Sequence, residues 1–114
     1  MKTSRDVPAS PPRSTAKLRV VHLVRLHEGA EARFLEAYEQ VGRQITTVQG
    51  HLSGQLCQST EDPLQWIITS EWQAPEHYFA WLEGDGHREL VAPMHACVQE
   101  SRSFKFTVRR ETAS

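Results

Sequence analysis

The sequence predicts one α+β domain: a four-stranded antiparallel sheet with helices on one face, its elements following the order β-α-β-β-α-β. Three observations lead there. Residues 17–26 form a β-branched, aliphatic run that is apolar at odd and even positions alike, the pattern of a strand covered on both faces. Directly after it, Phe34, Leu35, Tyr38, Val41, Ile45 and Val48 recur at three- and four-residue steps, the period of an amphipathic helix. The remaining chain repeats the theme with two strand-like runs, a second helical region and a closing alternating run. At 114 residues there is room for one domain and not two.

The first strand takes Leu18, Val20, Val21, Leu23, Val24 and Leu26. His27-Glu28-Gly29 turns the chain into the first helix, where Glu28 and Glu31 place negative charge near the positive end of the helix dipole. The helix is expected to run about five turns and to stop near Gln49-Gly50, glycine being suited to a left-handed cap. A second strand follows at 52–59, and Glu61-Asp62-Pro63 turns into a third at 64–72. That strand alternates, with Trp66, Ile68, Ser70 and Trp72 on one face and Ile67 and Thr69 on the other.

Ala74-Pro75-Glu76 reads as the first turn of the next helix, because proline at the start loses no hydrogen bond. Tyr78, Phe79, Trp81 and Leu82 face inward from it. Gly84-Asp85-Gly86 interrupts, and Leu90, Val91, Met94, Cys97 and Val98 trace a further helix, bent at Pro93. Residues 103–108 form the last strand, with Phe104, Phe106 and Val108 on one side. The order is the split βαβ, or ferredoxin-like, arrangement. Helices cover only one face of such a sheet, so the apolar second face predicts pairing with a second copy of the chain. A domain this small gains from that, since alone it buries about two thirds of the surface its unfolded chain exposes.

Residues 1–16 contain Pro8, Pro11, Pro12 and several Ser and Thr without an apolar run. They are expected to be a disordered tail, neither a signal peptide nor a membrane helix. The domain proper then spans 17–109, with a short C-terminal tail at 110–114. Thirteen basic and fourteen acidic residues are scattered without a stripe, which argues against a nucleic-acid partner. Two cysteines, Cys57 and Cys97, both inside predicted elements, indicate no disulfide framework and suit the cytoplasm.

Most catalytic signatures are missing. Gly50-His51-Leu52-Ser53-Gly54 has its serine one place too late for a nucleophile elbow, and no glycine-rich phosphate loop is present. None of the six histidines stands at a recognised ligand spacing, so no metal is expected. His22 is distinctive because it interrupts an apolar strand, where a histidine serves either as a general base near neutral pH or as a core or interface residue with a backbone partner. Trp72 closes a strand and Tyr78 opens a helix, so both can point into the space between sheet and helices, as core packing or as the wall of a cavity.

At this segment the sequence resembles the antibiotic-biosynthesis monooxygenase family, whose members are dimeric ferredoxin-like α+β barrels. The likeness runs from about residue 18 to 108. It rests on Leu26-His27-Glu28-Gly29 before the Phe34 helix, on Val48 to Gly54 where the family has a Pro-Gly-Phe-x-Gly type turn, and on Glu71-Trp72 followed by Tyr78, Trp81 and His87. For the aromatic-polyketide members, the resemblance implies oxidation of a phenolic or anthrone-like ring with dioxygen as co-substrate, without metal and often without flavin. A role for reduced flavin or haem stays open.

Trp72 and Tyr78 match the family's tryptophan and tyrosine, and His22, Arg88 and His95 complete the expected catalytic set. Trp66, Ile68, Trp81, Phe34 and Tyr38 are the expected pocket lining. There are departures. The family asparagine four residues before the tryptophan is Ile68, and the arginine about twenty residues after it falls at Ala92, with Arg88 one turn earlier. A haem-degrading branch of the family would match Trp81, but its asparagine position is His22 and its histidine position Val91, with His95 a turn beyond. Related scaffolds act as polyketide cyclases through a proton-shuttling pair, and a non-catalytic small-molecule binder is the third reading.

Overall fold

A computed structural model of the chain describes residues 16–113. The expected N-terminal tail therefore lies, up to residue 15, outside the described residues. The elements are β1 (Leu18–Leu26), α1 (Glu31–Ile45), β2 (His51–Gln58), β3 (Gln65–Trp72), α2 (Pro75–Glu83), α3 (His87–His95) and β4 (Val98–Thr107). The strands form one antiparallel sheet in the order β2-β3-β1-β4, which is the ferredoxin-like topology.

Strand pairing sets which side chains share a face. In β1 the even positions Leu18, Val20, Val24 and Leu26 are buried beneath the helices, and half-buried His22 sits in the same row. The register aligns Leu56, Ile68, His22 and Ser103 across the helix-facing side. The next row is Gly54, Ser70, Val20 and Lys105. Odd residues of β1, with Ile67, Phe104 and Phe106, point to the face that no helix covers.

Three boundaries differ from expectation, each for a local reason. Helix α1 ends at Ile45 rather than near Gly50, because the Thr46 and Thr47 hydroxyls donate to the Arg43 and Gln44 carbonyls at 3.2 and 2.7 Å. Those bonds satisfy carbonyls that a continuing helix would have used. Helix α3 contains Pro93 as expected but ends at His95, short of the expected Cys97 and Val98, because Val98 pairs with Leu26 as the first residue of β4. Strand β4 begins at Val98, five residues before the expected start, although Gln99, Glu100, Ser101 and Arg102 carry no apolar alternation. Pairing with β1, through an irregularity between Arg25 and Leu26, holds that segment in the sheet.

The core has two parts. One joins Phe34, Ala37 and Val41 of α1 to Val24, Leu26, Trp66, Val91, Met94 and Cys97. The other gathers Leu18, Val20, Trp72 and Tyr78. Trp81 packs against both. The β2–β3 turn is fixed by Arg25, whose guanidinium meets the Asp62 carboxylate at 2.7 Å, and by Ser59, whose Oγ accepts from the Glu61 and Asp62 N–H groups. This turn anchors the end of the sheet farther from Trp72.

A carboxylate-free cavity between sheet and helices

Between the two core clusters lies a cavity of about 550 Å³. That is the size of a small-molecule site, whose typical range is roughly 300–1,000 Å³. Helix α1 presents Tyr38, Val41, Gly42 and Ile45, and α3 presents His87, Val91, Met94 and His95, each set spaced as one helix face. The sheet supplies His22, Val24, Ile68, Ser70 and Trp72, and α2 contributes Tyr78 and Trp81. From β4 come Ser101, Ser103 and Lys105, all exposed, which places an opening along that strand. The floor is hydrocarbon and aromatic.

Trp72 is completely buried, and Tyr78 meets it edge to face at 5.6 Å between ring centres. His51 packs edge-on against the same indole at 5.2 Å. The Trp72 indole N–H donates to Ser70 Oγ at 3.0 Å. It is thus already engaged, and the Ser70 hydroxyl proton is the group left to donate.

Two polar regions interrupt the apolar wall. At one, His22 Nδ1 lies 2.7 Å from Ser103 Oγ on the neighbouring strand. Burial, and then the positive charge of Lys105, His95 and His87, pushes the His22 pKa below its ordinary value. His87 is lowered too, by burial and then by His95. Its ring stands edge-on to Trp81 at 4.7 Å, and its buried Nδ1 has no hydrogen-bond partner among the described residues. At the other region, Tyr38 and His51 converge over Gly54. A β-carbon there would lie 3.6 Å from His51 Nε2 and 3.9 Å from Tyr38 Oη. Burial raises the Tyr38 and Tyr78 pKa values and lowers that of His51.

Of the residues singled out from sequence, Trp72, Tyr78, His22, His95, Ile68, Trp81 and Tyr38 all line this cavity. Three do not. Phe34 is fully buried one turn before the lining face of α1 and meets Trp66 edge to face at 5.6 Å, inside the first core cluster. Trp66 is held there by its indole N–H, which donates to the Pro63 carbonyl at 3.0 Å. Arg88 is exposed, because it is one residue round the helix from His87 and so leaves the face that lines the cavity. His51, His87, Ser70, Ser103 and Lys105 were not anticipated as site residues. Two of them left a signal: Ser70 shares the strand face of Ile68 and Trp72, and His87 shares the helical face of Val91, Met94 and His95.

Among the described residues, no aspartate or glutamate lines the cavity. Among the described residues, no group of three or more His, Cys, Asp or Glu is placed to hold a metal ion. No helix among them is long and apolar enough to cross a membrane.

A split βαβ sheet with an aromatic-walled cavity on its helix side defines a ferredoxin-like α+β domain. More specifically, the chain belongs to the antibiotic biosynthesis monooxygenase family, whose model matches residues 18–93. It is 41% identical over 97 residues to the "42.8 kDa protein in whiE locus" of Streptomyces coelicolor, a match covering 85% of this chain and 24% of that protein. Against "Polyketide synthase CurD" of Streptomyces cyaneus it is 43% identical over 97 residues, covering 85% of this chain and 26% of that protein. The chain thus spans about a quarter of the length of these curated relatives. In fold it is similar to SnoaB, a cofactor-independent oxygenase from Streptomyces nogalater, with a TM-score of 0.78 at 16% identity over 87% of this chain and 99% of that one.

Proposed function

We propose that the domain oxidises a hydroxylated aromatic polyketide of the phenol or anthrone type with dioxygen, in the cavity beside Trp72 and Tyr78 and without a metal, as part of a homodimer. The observation that carries this reading is the cavity itself: large enough for a fused aromatic ligand, walled by Trp72, Tyr78 and Trp81, and mostly apolar with a few polar side chains. The name of one relative, a polyketide synthase, points to polyketide chemistry, and family membership supports oxygen chemistry.

The chemistry balances without a reductant. An anthrone that loses a proton becomes an electron-rich enolate, which passes one electron to dioxygen. The two radicals combine in a C–O bond, and loss of water from the resulting hydroperoxide leaves a carbonyl, so that CH₂ and O₂ become C=O and H₂O. The protein has to orient the ring, exclude bulk water and manage the proton. With Ile68 in place of an asparagine and Arg88 directed to solvent, proton transfer falls to the histidine, serine, tyrosine and lysine side chains of the two polar regions.

The test uses purified protein and dithranol, a dihydroxyanthrone, with isotopically labelled dioxygen. One O₂ should be consumed per quinone formed, one labelled atom should appear in the quinone, and Trp72→Phe should slow the reaction. A rate equal to the protein-free control sinks the proposal. Polyketide cyclisation is the second reading, favoured by His22 and Lys105 standing on adjacent strands, because proton shuttling alone suffices for it. A cyclised product formed under strictly anaerobic conditions would decide for it.

A further inference from the structure

The end of the cavity between β1, β4 and α3 has a composition that oxygen chemistry alone does not require. Every ionisable side chain lining it is a base: His22, His87, His95 and Lys105. No carboxylate lies among them to balance Lys105. The charged pairs of the sheet, Arg25 with Asp62 and Arg19 with Glu71, involve odd positions of β1, whose side chains leave the helix side. A lysine with no carboxylate partner among the described residues, beside half-buried His22 and His87, favours a bound negative charge.

We propose that this end of the cavity is an anion-holding site, in which His22 accepts the hydroxyl proton of an acidic phenol, Ser103 positions the imidazole, and Lys105 stands beside the phenolate so formed. The proposal rests on the reading of the ligand as a hydroxylated aromatic and adds which ionisation state the protein selects. In the step, the ligand O–H bond breaks, its electron pair stays on oxygen, and a new N–H bond forms at His22 Nε2. No electrons leave the ligand.

The proposed step requires one tautomer. For Nε2 to accept, the neutral ring must carry its proton on Nδ1, where it donates to Ser103 Oγ at 2.7 Å. Burial, and then the facing positive charge, holds the His22 pKa below its ordinary value, which favours the neutral, proton-accepting ring. Four elements bear on it. Strand β4 contributes Ser103 and Lys105, α3 contributes His87 and His95, β3 contributes apolar Ile68, and from β1 itself Val20 and Val24 flank it on the same face. Once a phenolate occupies the site, its charge offsets the cost of a protonated imidazole. The unpartnered Nδ1 of His87 is a further group able to meet the ligand.

Alizarin, a dihydroxyanthraquinone whose ionisation shifts its absorption to the red, is the probe. Below its solution ionisation midpoint, the wild-type protein should bind it with the spectrum of the anion and without releasing a proton. His22→Phe should show either no red shift or a red shift accompanied by proton release. Lys105→Met, a change at an exposed side chain, should weaken binding of the ionised dye about tenfold, one unit in its apparent ionisation midpoint. It should leave binding of the dimethyl ether of alizarin unchanged. Ser103→Ala should move the midpoint of the bound dye upward, which a merely structural role would not do.

Binding with the neutral spectrum overturns the proposal, as does equal loss of both ligands in Lys105→Met, or no binding of alizarin at any pH at which the protein stays folded. The oxygenase reading is scored separately. Dithranol oxidised by a protein that binds alizarin neutral would keep that reading and remove this one, and an anionic dye with no oxygen consumption would do the reverse.

Discussion

Trp72 and Ser70 act as one unit: a large side chain with no exposed surface, and the hydroxyl that satisfies its only donor. Ser70→Ala should therefore destabilise the domain by about 1–3 kcal/mol, the cost of an unpaired buried donor. Ser70→Thr, which keeps a hydroxyl and suits a strand, should stay near wild type. Denaturant midpoints of the two variants check this, and equal midpoints would mean that cavity water serves the indole equally well. At this scale Trp72 and Tyr78 were legible, because one ends a strand and the other begins a helix around a short connection. His22 was legible as an interruption of an apolar run. Ser103 and Lys105 were not, since their link to His22 exists only through the β1–β4 register, which no local pattern encodes. Phe34 and Trp66 misled for a related reason: periodicity gives the face a residue shares, not how far along the element the cavity begins.

Elements were legible where a local cause acts alone. Pro75 opens α2 as expected, and Gly84-Asp85-Gly86 separates α2 from α3. They were less so where side-chain bonds or pairing decided the boundary, as at the end of α1 and the start of β4. Two turn glycines allow a comparison that isolates packing from backbone conformation. Gly29 and Gly50 have φ of 80° and 88°, a left-handed region that costs an ordinary residue about 1–2 kcal/mol. A β-carbon on Gly29 meets nothing within 4 Å, whereas on Gly50 it would fall 2.1 Å from the His77 ring. Gly29→Ala should lose roughly the conformational cost alone, about 1 kcal/mol. Gly50→Ala should lose clearly more, because α2 or the β2 entry must shift, and thermal unfolding of both variants measures the difference. If His77→Ala in the Gly50→Ala background restores none of the extra loss, the steric account fails.

For the whole molecule, the sheet's uncovered face is the feature that a single chain does not resolve. Val21, Leu23, Ile67 and Phe104 are only half-buried there, and Phe106 is 53% exposed. The Phe104 and Phe106 rings stack at 6.4 Å, and the Arg102 guanidinium lies 5.0 Å from the Phe104 ring centre. All three helices lie on the opposite side, so nothing within the described residues covers these groups. A second sheet laid face to face would, at the roughly 10 Å spacing of stacked sheets. A stable interface of this kind buries about 800 Å² per partner, which asks for most of the sheet face and not its edge alone. Because a twofold contact uses the same patch on both copies, one new charge is introduced twice. Leu23→Glu should therefore convert the assembly to a monomer and lower its melting temperature. Leu35→Glu, at an exposed site on α1, adds the same charge away from this face and should leave the mass unchanged. Sedimentation equilibrium at micromolar concentration reads both variants against a wild type expected at twice the chain mass. A monomeric wild type, or a Leu23→Glu protein that stays dimeric, would show that the apolar face is not where two copies meet.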